Sequence, residues 1–205
     1  MENLADLDSR GGVLFVISGP SGVGKDTVIA KLKEEHVPLH YTVTMTTRKR
    51  RPGEVDGVSY YFVERPEFEE LQARGELLEA AVVHGELYGT PLRQVREALA
   101  KGRDVLLKID VQGAATIKDK LPDAVFIFLA PGSQEDLVHR MAHRASESEA
   151  EFRLRLHNAT GELSHLYLYD YVVVNRHGKL DEAVEKVKAI ITAEGCRVDR
   201  RPNRI

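Results

Sequence analysis

The sequence predicts an α/β fold in which a parallel-sheet core carries an inserted small β-rich lobe and a helical lid. Short apolar runs at 13–17, 105–109, 125–129 and 171–174 alternate with helix-periodic segments, which is typical of buried parallel strands. A glycine-rich loop follows the first of these runs. Between 41 and 90 the pattern changes to short polar-alternating pieces punctuated by glycine and proline, which favours a separate β-rich unit.

The glycine-rich loop reads G-P-S-G-V-G-K and is followed by a helix-like stretch at 26–35. A strand, a glycine loop and a helix in this order form the context that a phosphate-binding P-loop requires. The glycines let backbone N–H groups surround an anion, and the lysine adds a mobile positive charge. An ordinary glycine-rich turn would need neither the lysine nor this spacing, and the G-x-G-x-x-G spacing of dinucleotide sites is not present. The loop therefore predicts a nucleoside triphosphate site formed by Gly19, Pro20, Ser21, Gly22, Val23, Gly24 and Lys25.

Composition narrows the class of protein. The 205 residues are 42% hydrophobic, which is enough for a substantial core, and the net charge of −3 creates no general attraction for nucleic acid or an anionic membrane. The single cysteine, Cys196, cannot form an internal disulfide, so a reducing setting is expected. No apolar stretch reaches the roughly 20 residues that span a bilayer, and residues 1–10 do not resemble a leader. These features predict a soluble cytoplasmic protein that acts on nucleotide monomers.

The lid is predicted from two helix starts. Ser133 with Asp136, and Ser148 with Glu151, have the spacing of helix capping boxes, so two helices joined by a turn at 145–148 are expected. The boundaries that follow are a core at 11–40, 91–132 and 161–205, a lobe at 41–90, a lid at 133–160 and an N-terminal extension at 1–10.

A basic segment lies at the start of the lobe. Residues 48–54 read R-K-R-R-P-G-E and follow a threonine-rich stretch at 41–47. Guanidinium groups offer bidentate donors and hydroxyls offer neutral ones, which suits a phosphate monoester. A solvated basic turn is the alternative. The residues Tyr60, Glu79, Tyr88 and Thr90 follow in a segment that turns back repeatedly, so a concave site with aromatic and carboxylate walls can form.

Taken together, the motifs resemble the guanylate kinase family over nearly the whole chain. They are G-P-S-G-V-G-K at 19–25, T-T-R-K-R-R-P-G-E at 46–54, D-G at 56–57, L-L-E at 77–79, H-G-E-L-Y-G-T at 84–90, I-D-V-Q-G at 109–113, A-P-G-S at 130–133 and Y-D-Y-V-V-V-N at 169–175. The resemblance implies a lobe that holds GMP, with the GMP phosphate against Arg48, Arg51, Tyr60 and Tyr88.

The resemblance also implies how the base is recognised. Guanine presents N1–H and an exocyclic amino group side by side, so the carboxylate of Glu79 can accept from both, whereas adenine lacks this double donor edge. Hydroxyls at Thr44 and Thr90 suit the remaining polar edge, where the family usually has serine, and Asp110 completes the implied GMP set. A site that pairs buried polar groups rejects a ligand that leaves them unpaired.

The implied reaction transfers the γ-phosphoryl group of ATP to GMP, and by extension to dGMP, in a step of GTP synthesis and GMP recycling. The acceptor phosphate is already largely anionic at neutral pH, so charge neutralisation by Mg²⁺, lysine and arginine is needed rather than acid–base catalysis. The resemblance assigns this work to Lys25, Arg48, Arg140, Arg144 and Arg155, and the adenine contact to Asn175. Each lid arginine could instead be a surface residue paired with Glu135, Glu147 or Glu151. ATP and GMP are the expected partners of a monomer or homodimer, with no nucleic acid or membrane.

Two positions depart from the family pattern. The residue after the P-loop lysine is usually Ser or Thr, but here it is Asp26, followed by Thr27; both are candidates to hold Mg²⁺ through water. Where the family usually has an acid two residues before the aspartate of I-D-V-Q-G, this chain has Lys108. We hypothesise that Asp26 and Lys108 are a swapped pair that preserves local charge; the alternative is two unrelated surface changes.

Two other functions compete with this interpretation. One is a guanylate-kinase-like interaction domain that binds phosphorylated peptides, although the intact loop glycines and lysine argue against it. The other is a related kinase acting on another nucleotide or a sugar phosphate. A carboxylate facing a base edge has no obvious use for a sugar, so Glu79 favours guanine.

Overall fold

The computed structural model describes residues 11–83, 85–142, 161 and 163–198. The strands are β1 Leu14–Ser18, β2 His40–Tyr41, β3 Met45–Thr46, β4 Tyr61–Phe62, β5 Leu77–Val83, β6 Glu86–Pro91, β7 Val105–Lys108, β8 Val125–Pro131 and β9 Tyr171–Asn175. The helices are α1 Lys25–Glu34, α2 Arg65–Ala73, α3 Leu92–Ala100, α4 Val111–Lys120, α5 Gln134–Ala142 and α6 Leu180–Gly195, with a 3-10 helix at Leu163–Leu168.

A five-stranded parallel sheet forms the centre of the molecule, in the order β2-β7-β1-β8-β9. The α/β fold is therefore confirmed, and all four predicted apolar runs form strands of this sheet. The short edge strand β2 was not predicted, because its two residues carry too little pattern to be recognised. With β7 and β8 on either side of β1, the carboxyl ends of three strands meet at the glycine loop, where ligands bind in open parallel sheets.

Alternating side chains of the sheet build a core on each face. Phe15 and Ile17 of β1 pack with apolar residues of α1 and α6, whereas Leu14 and Val16 pack with residues of α3 and α4. All four side chains are completely buried. Since both faces are covered, β1 needs a continuous apolar sequence, which is why this strand is so evident in the chain.

A second, four-stranded sheet, in the order β4-β3-β6-β5, is formed by strands between residues 45 and 91, one residue beyond the predicted lobe at 41–90. Helix α2, which was not predicted, packs on it through the fully buried Phe68. The packing is close, since a Cβ on Gly89 would lie 2.9 Å from the Phe68 ring. Residues 58–63, V-S-Y-Y-F-V, are one of the polar-alternating pieces expected between 41 and 90; they form a strand only at Tyr61–Phe62, and Val58 stays 64% exposed.

The connection between the two sheets is held by Gln94 of α3. Its side-chain oxygen accepts from Val43 N–H at 2.9 Å, and its amide donates to Val43 C=O at 2.8 Å. The side chain thus satisfies both backbone groups of a connecting residue, much as a neighbouring strand would. Before this point Thr42 N–H still donates to Leu106 C=O of the core sheet.

Helix α5 begins as its capping signal predicts. Asp136 N–H donates to Ser133 Oγ at 3.1 Å, which satisfies one of the free donors at the helix start. The second predicted capping pair, Ser148 with Glu151, the turn at 145–148, Arg144 and Arg155 all lie outside the described residues. Across the described ranges, none of the helices is both long enough and apolar enough to cross a bilayer.

Candidate active site

A cleft of about 1800 Å³ lies between the glycine loop and the second sheet. Its lining includes every predicted site residue that the structure describes, except Val23 and Thr90. Those two side chains are completely buried behind the wall. Tertiary folding therefore brings together residues that the sequence analysis selected from widely separated segments.

The glycine loop needs its glycines for both backbone conformation and space. Gly19 has φ of 137° and Gly24 has φ of 99°, a region that residues with a side chain rarely adopt. A Cβ on Gly19 would lie 2.2 Å from Leu129 C=O, and a Cβ on Gly24 would lie 2.6 Å from Asn175 Nδ2. A larger residue at either position would thus displace β8 or Asn175.

Two cationic side chains, Lys25 and Arg140, donate hydrogen bonds to backbone carbonyl groups of the glycine loop. Lys25 Nζ donates to Gly19 C=O and, at 3.2 Å, to Pro20 C=O. Arg140 of α5 donates to Val23 C=O at 2.6 Å and to Asn175 C=O at 2.9 Å. The buried Asn175 side chain also donates to Val23 C=O, at 2.9 Å. Arg140 thus lies against the phosphate loop and not in the solvent-exposed arrangement that the surface alternative describes.

A buried carboxylate occupies the opposite wall of the cleft. Glu79 of β5 is only 3% exposed, and its Oε1 accepts from Thr90 Oγ1 at 2.8 Å. The pairing of β5 with β6 shifts register between Leu77 and Glu79. Leu78, at the shift, packs into the core cluster formed by the central sheet with helices α3 and α4. At this irregularity two consecutive side chains have different surroundings: Leu78 packs in the core, and Glu79 lines the cleft.

The surroundings of Glu79 disfavour its charged form. Burial and the nearby Asp110 carboxylate raise the pKa of Glu79 to about 7, against a smaller opposing effect of the Thr90 hydrogen bond. Burial also raises the pKa of Asp110, although this side chain accepts from Gly113 N–H at the start of α4. Thr44 Oγ1 is buried and, within the described residues, has no hydrogen-bond partner. These groups form a polar wall whose hydrogen-bonding capacity is incompletely used.

We expect Glu79 to make the stability of the ligand-free protein depend on pH. The folded-state pKa of about 7 lies above the ordinary value of 4.5, so the stabilising effect is complete below pH 4.5 and is lost as the pH rises through 7. Between about pH 5 and about pH 8, the free energy of unfolding of the wild type should fall by up to about 3 kcal/mol more than that of a Glu79→Gln variant. Urea unfolding of both proteins measures this; parallel pH profiles would contradict it.

A second polar cluster is built around Arg48. Its guanidinium pairs with Glu54 at 2.7 Å, donates through Nε to Tyr88 OH at 3.2 Å and lies 5.4 Å from the centre of the Tyr60 ring. The other oxygen of Glu54 accepts from Arg51 N–H at 2.7 Å. Arg51 itself is exposed at the edge of the cleft.

Glu54 is a site residue for which no role was predicted from the sequence. Burial alone would raise the pKa of Glu54, but hydrogen bonds from the Arg48 side chain and the Arg51 backbone hold the pKa below its ordinary value. Glu54 therefore stays charged and keeps the Arg48 guanidinium oriented toward the cleft. Its position three residues after Arg51, at the end of R-R-P-G-E, was the available signal.

The two departures from the family pattern meet in the cleft. Lys108 Nζ lies 2.6 Å from Asp26 Oδ1 and 3.2 Å from Tyr60 OH. Burial alone would lower the pKa of Lys108, but attraction to Asp26 and Tyr60 outweighs it and holds the pKa above its ordinary value. The hypothesis that Asp26 and Lys108 are paired thus agrees with their contact, and Lys108 stays cationic.

The residues predicted to hold Mg²⁺ are Asp26 and Thr27, both exposed to the cleft at the start of α1. Within the described part of the chain, no group of three His, Cys, Asp or Glu side chains could enclose a metal ion. A carboxylate and a hydroxyl beside a phosphate loop nevertheless fit Mg²⁺, which usually keeps several waters and takes further ligands from substrate phosphates. The donor set suits a metal that arrives with a nucleotide.

Comparison with known proteins gives consistent results. The family model described as guanylate kinase matches residues 12–194. A guanylate kinase from Lactococcus lactis subsp. lactis is 51% identical over 189 residues, which are 92% of this chain and 91% of that protein. The chloroplastic/mitochondrial guanylate kinase 2 of Oryza sativa subsp. japonica is 48% identical over 190 residues, 92% of this chain and 67% of that protein. The crystal structure of guanylate kinase from Anaplasma phagocytophilum matches with a TM-score of 0.77 and 36% identity, covering 93% of this chain and 90% of that one.

Proposed function

The chain belongs to the guanylate kinase family of ATP:GMP phosphotransferases, and we propose that its cleft divides into an ATP side at the glycine loop and a GMP side at the second sheet. The proposed ATP side comprises residues 19–25 with Asp26, Thr27, Arg140 and Asn175. The proposed GMP side comprises Thr44, Arg48, Arg51, Tyr60, Glu79, Tyr88, Thr90 and Asp110. We propose the same boundaries of core, lobe and lid that the sequence predicts.

The buried carboxylate of Glu79 is the observation that carries the assignment of the GMP base. Thr90 donates to one of its oxygens, which leaves acceptor capacity for the two adjacent donors of guanine. The buried Thr44 hydroxyl offers a further polar partner. Because the donors of guanine favour the ionised carboxylate, binding of GMP should lower the pKa of Glu79 from about 7 and release a proton near neutral pH.

The proposed phosphate end of the GMP site is the cluster around Arg48. Glu54 orients the Arg48 guanidinium, and this guanidinium donates a hydrogen bond to the Tyr88 hydroxyl. Because a guanidinium has no acceptor, the Tyr88 hydroxyl keeps its own proton for donation to a phosphate oxygen. Arg51 and Tyr60 add a second cation and a second phenol at the same end of the cleft.

Phosphoryl transfer needs charge neutralisation between the two sides. The bonds that Lys25 and Arg140 make to loop carbonyls place both cations at the loop, from which they can turn to the phosphates. The GMP phosphate oxygen attacks as an anion, so no general base is required. We assign the same role to Arg144 and Arg155 from the predicted lid. Asp26 and Thr27 would hold Mg²⁺ through water, and the metal would supply further positive charge for the phosphates.

The setting of the reaction is part of the proposal. We propose that the protein works in the cytoplasm on free nucleotides, as a monomer or homodimer, without nucleic acid or membrane partners. The exposed free thiol of Cys196 is compatible with a reducing compartment. Light scattering of the purified protein, with and without nucleotides, tests the oligomeric state.

The function is tested by following ADP release from Mg·ATP with GMP, dGMP, AMP, UMP or CMP as acceptor. We expect turnover with the two guanine nucleotides and a kcat/KM for AMP lower by at least about 10⁴, because adenine leaves the Glu79 wall unpaired. Comparable turnover of AMP would contradict the assigned base site. Tight binding of GMP without turnover would indicate a phosphopeptide-binding domain instead.

A further inference from the structure

Lys108 touches both sides of the cleft. It ends β7 of the core sheet, next to the glycine loop, yet its ammonium reaches Tyr60, which precedes β4 of the second sheet. We propose that Lys108 is a positioning residue that makes Tyr60 a hydrogen-bond donor to the GMP phosphate, and that Asp26 holds Lys108 in place. This inference rests on the proposed function, which puts the GMP phosphate against Tyr60.

The contacts of Lys108 support a fixed position. Its ammonium lies 2.6 Å from the Asp26 carboxylate, 3.2 Å from Tyr60 OH and 4.8 Å from the centre of the Tyr60 ring. The Lys108 side chain is only 20% exposed, whereas that of Asp26 is 73% exposed. The ammonium of a flexible side chain is thus held by a carboxylate, a phenol oxygen and the nearby aromatic ring.

The direction of the Lys108–Tyr60 hydrogen bond follows from the chemistry of the two groups. An ammonium has three donors and no acceptor, so the Tyr60 oxygen must accept from it. The phenol proton then points to another partner, and Tyr60 lines the cleft. Tyr88 is in the same situation, because Arg48 donates to it. Two cations therefore each turn one phenol into a donor toward the proposed phosphate position.

Asp26 connects this arrangement to the ATP side. It directly follows Lys25 of the phosphate loop and lies in the first turn of α1. Its carboxylate accepts a short charge-assisted hydrogen bond of 2.6 Å from the ammonium. The chain of contacts from Asp26 through Lys108 to Tyr60 thus ties the GMP phosphate site to the loop that binds ATP.

The test is a double-mutant cycle read by calorimetric binding of GMP and guanosine. We expect Lys108→Met to weaken GMP binding about tenfold, the order of magnitude of a hydrogen bond to a charged group. In a Tyr60→Phe background the same change should cost no more than about threefold, because the hydroxyl is gone. Guanosine affinity should stay within about twofold, which also shows that the variant is folded, and Lys108→Arg should restore most of the GMP affinity.

A second variant distinguishes positioning from simple electrostatics. Removing the negative charge of Asp26 should strengthen binding of an anion if only charge matters. With Lys108 released, Asp26→Asn should instead weaken GMP binding about threefold, a size expected for an ion pair whose carboxylate is largely exposed. Glu34→Gln, an exposed acid on the same helix, should leave GMP affinity unchanged and serves as the matched control.

The failures are distinguishable. If the wild type does not bind GMP, both the proposed function and this inference are wrong. If the wild type binds GMP but Lys108→Met costs equally in both Tyr60 backgrounds, or weakens guanosine as much as GMP, the positioning role alone is wrong. Tighter GMP binding by Asp26→Asn would likewise overturn the part assigned to Asp26.

Discussion

Replacing Lys25 by methionine is expected to lower kcat for GMP phosphorylation about 10³-fold, the magnitude seen when one preorganised charge contact to a transition state is removed. Lys25 lies in the glycine loop with its ammonium on the carbonyls of Gly19 and Pro20, so it can reach phosphates bound there. Methionine keeps most of the length of the side chain and removes its charge. Steady-state kinetics with saturating Mg·ATP and GMP measure the loss.

Lys31→Met is the matched control for the Lys25 variant. Lys31 lies on the same helix, and its ammonium pairs with the exposed Glu34 at 3.1 Å. Its loss changes the net charge by the same amount, so kcat should stay within about twofold. If Lys31→Met were as damaging as Lys25→Met, the effect would reflect the general charge of α1. A Lys25→Met variant with nearly normal kcat would contradict the assigned role directly.

Replacing Glu79 by glutamine is expected to lower kcat/KM for GMP about 10³-fold, because a buried acceptor that serves two guanine donors becomes one acceptor and one donor. The same amide matches adenine, which presents a donor beside an acceptor. The ratio of kcat/KM for GMP to that for AMP should therefore fall further than the GMP value alone. Competition of the two acceptors, followed by measurement of GDP formed and AMP consumed, gives the ratio, because ADP forms from ATP in both reactions.

Glu86→Gln is the control for the Glu79 variant. Glu86 lies on the same sheet and accepts from Thr47 at 2.7 Å. Its replacement should leave the GMP to AMP preference unchanged, and neither variant should alter the KM for ATP by more than about threefold. An unchanged preference in Glu79→Gln would remove Glu79 from base recognition, whereas a large rise in the KM for ATP would indicate a general disturbance of the cleft.

The long regular parts of the fold were predictable because they leave a pattern in the chain. The run that forms β1 is apolar throughout since both faces of the central sheet are covered, and helix α1 follows at the expected place, at Lys25–Glu34 against the predicted 26–35. The two-residue strands β2, β3 and β4 have no such signature. Helix α2 lies between turn-rich segments and was missed, although Pro66 near its first position is a helix-start signal.

Site residues were predictable where a ligand dictates their spacing within one segment. The loop from Gly19 to Lys25 is of this kind, and all of its residues except Val23 line the cleft. The role of Glu79 followed instead from the resemblance of its segment to the family, and its side chain also lines the cleft. The role of Glu54 was not predicted. Its two carboxylate oxygens act by accepting hydrogen bonds, one from the Arg48 side chain and the other from Arg51 N–H. Only the folded turn brings these groups together.

The sequence by itself determined the α/β class, the phosphate loop and the family, since apolar periodicity and short ligand-binding motifs are local properties of a chain. Tertiary structure decided which side chains share a hydrogen bond. Asp26 and Lys108 are 82 positions apart, and Lys108 and Tyr60 are 48 apart. Contacts over such separations depend on how β7 pairs with β1 and how the second sheet faces the loop. These are properties of the packed core, which lies beyond any local pattern.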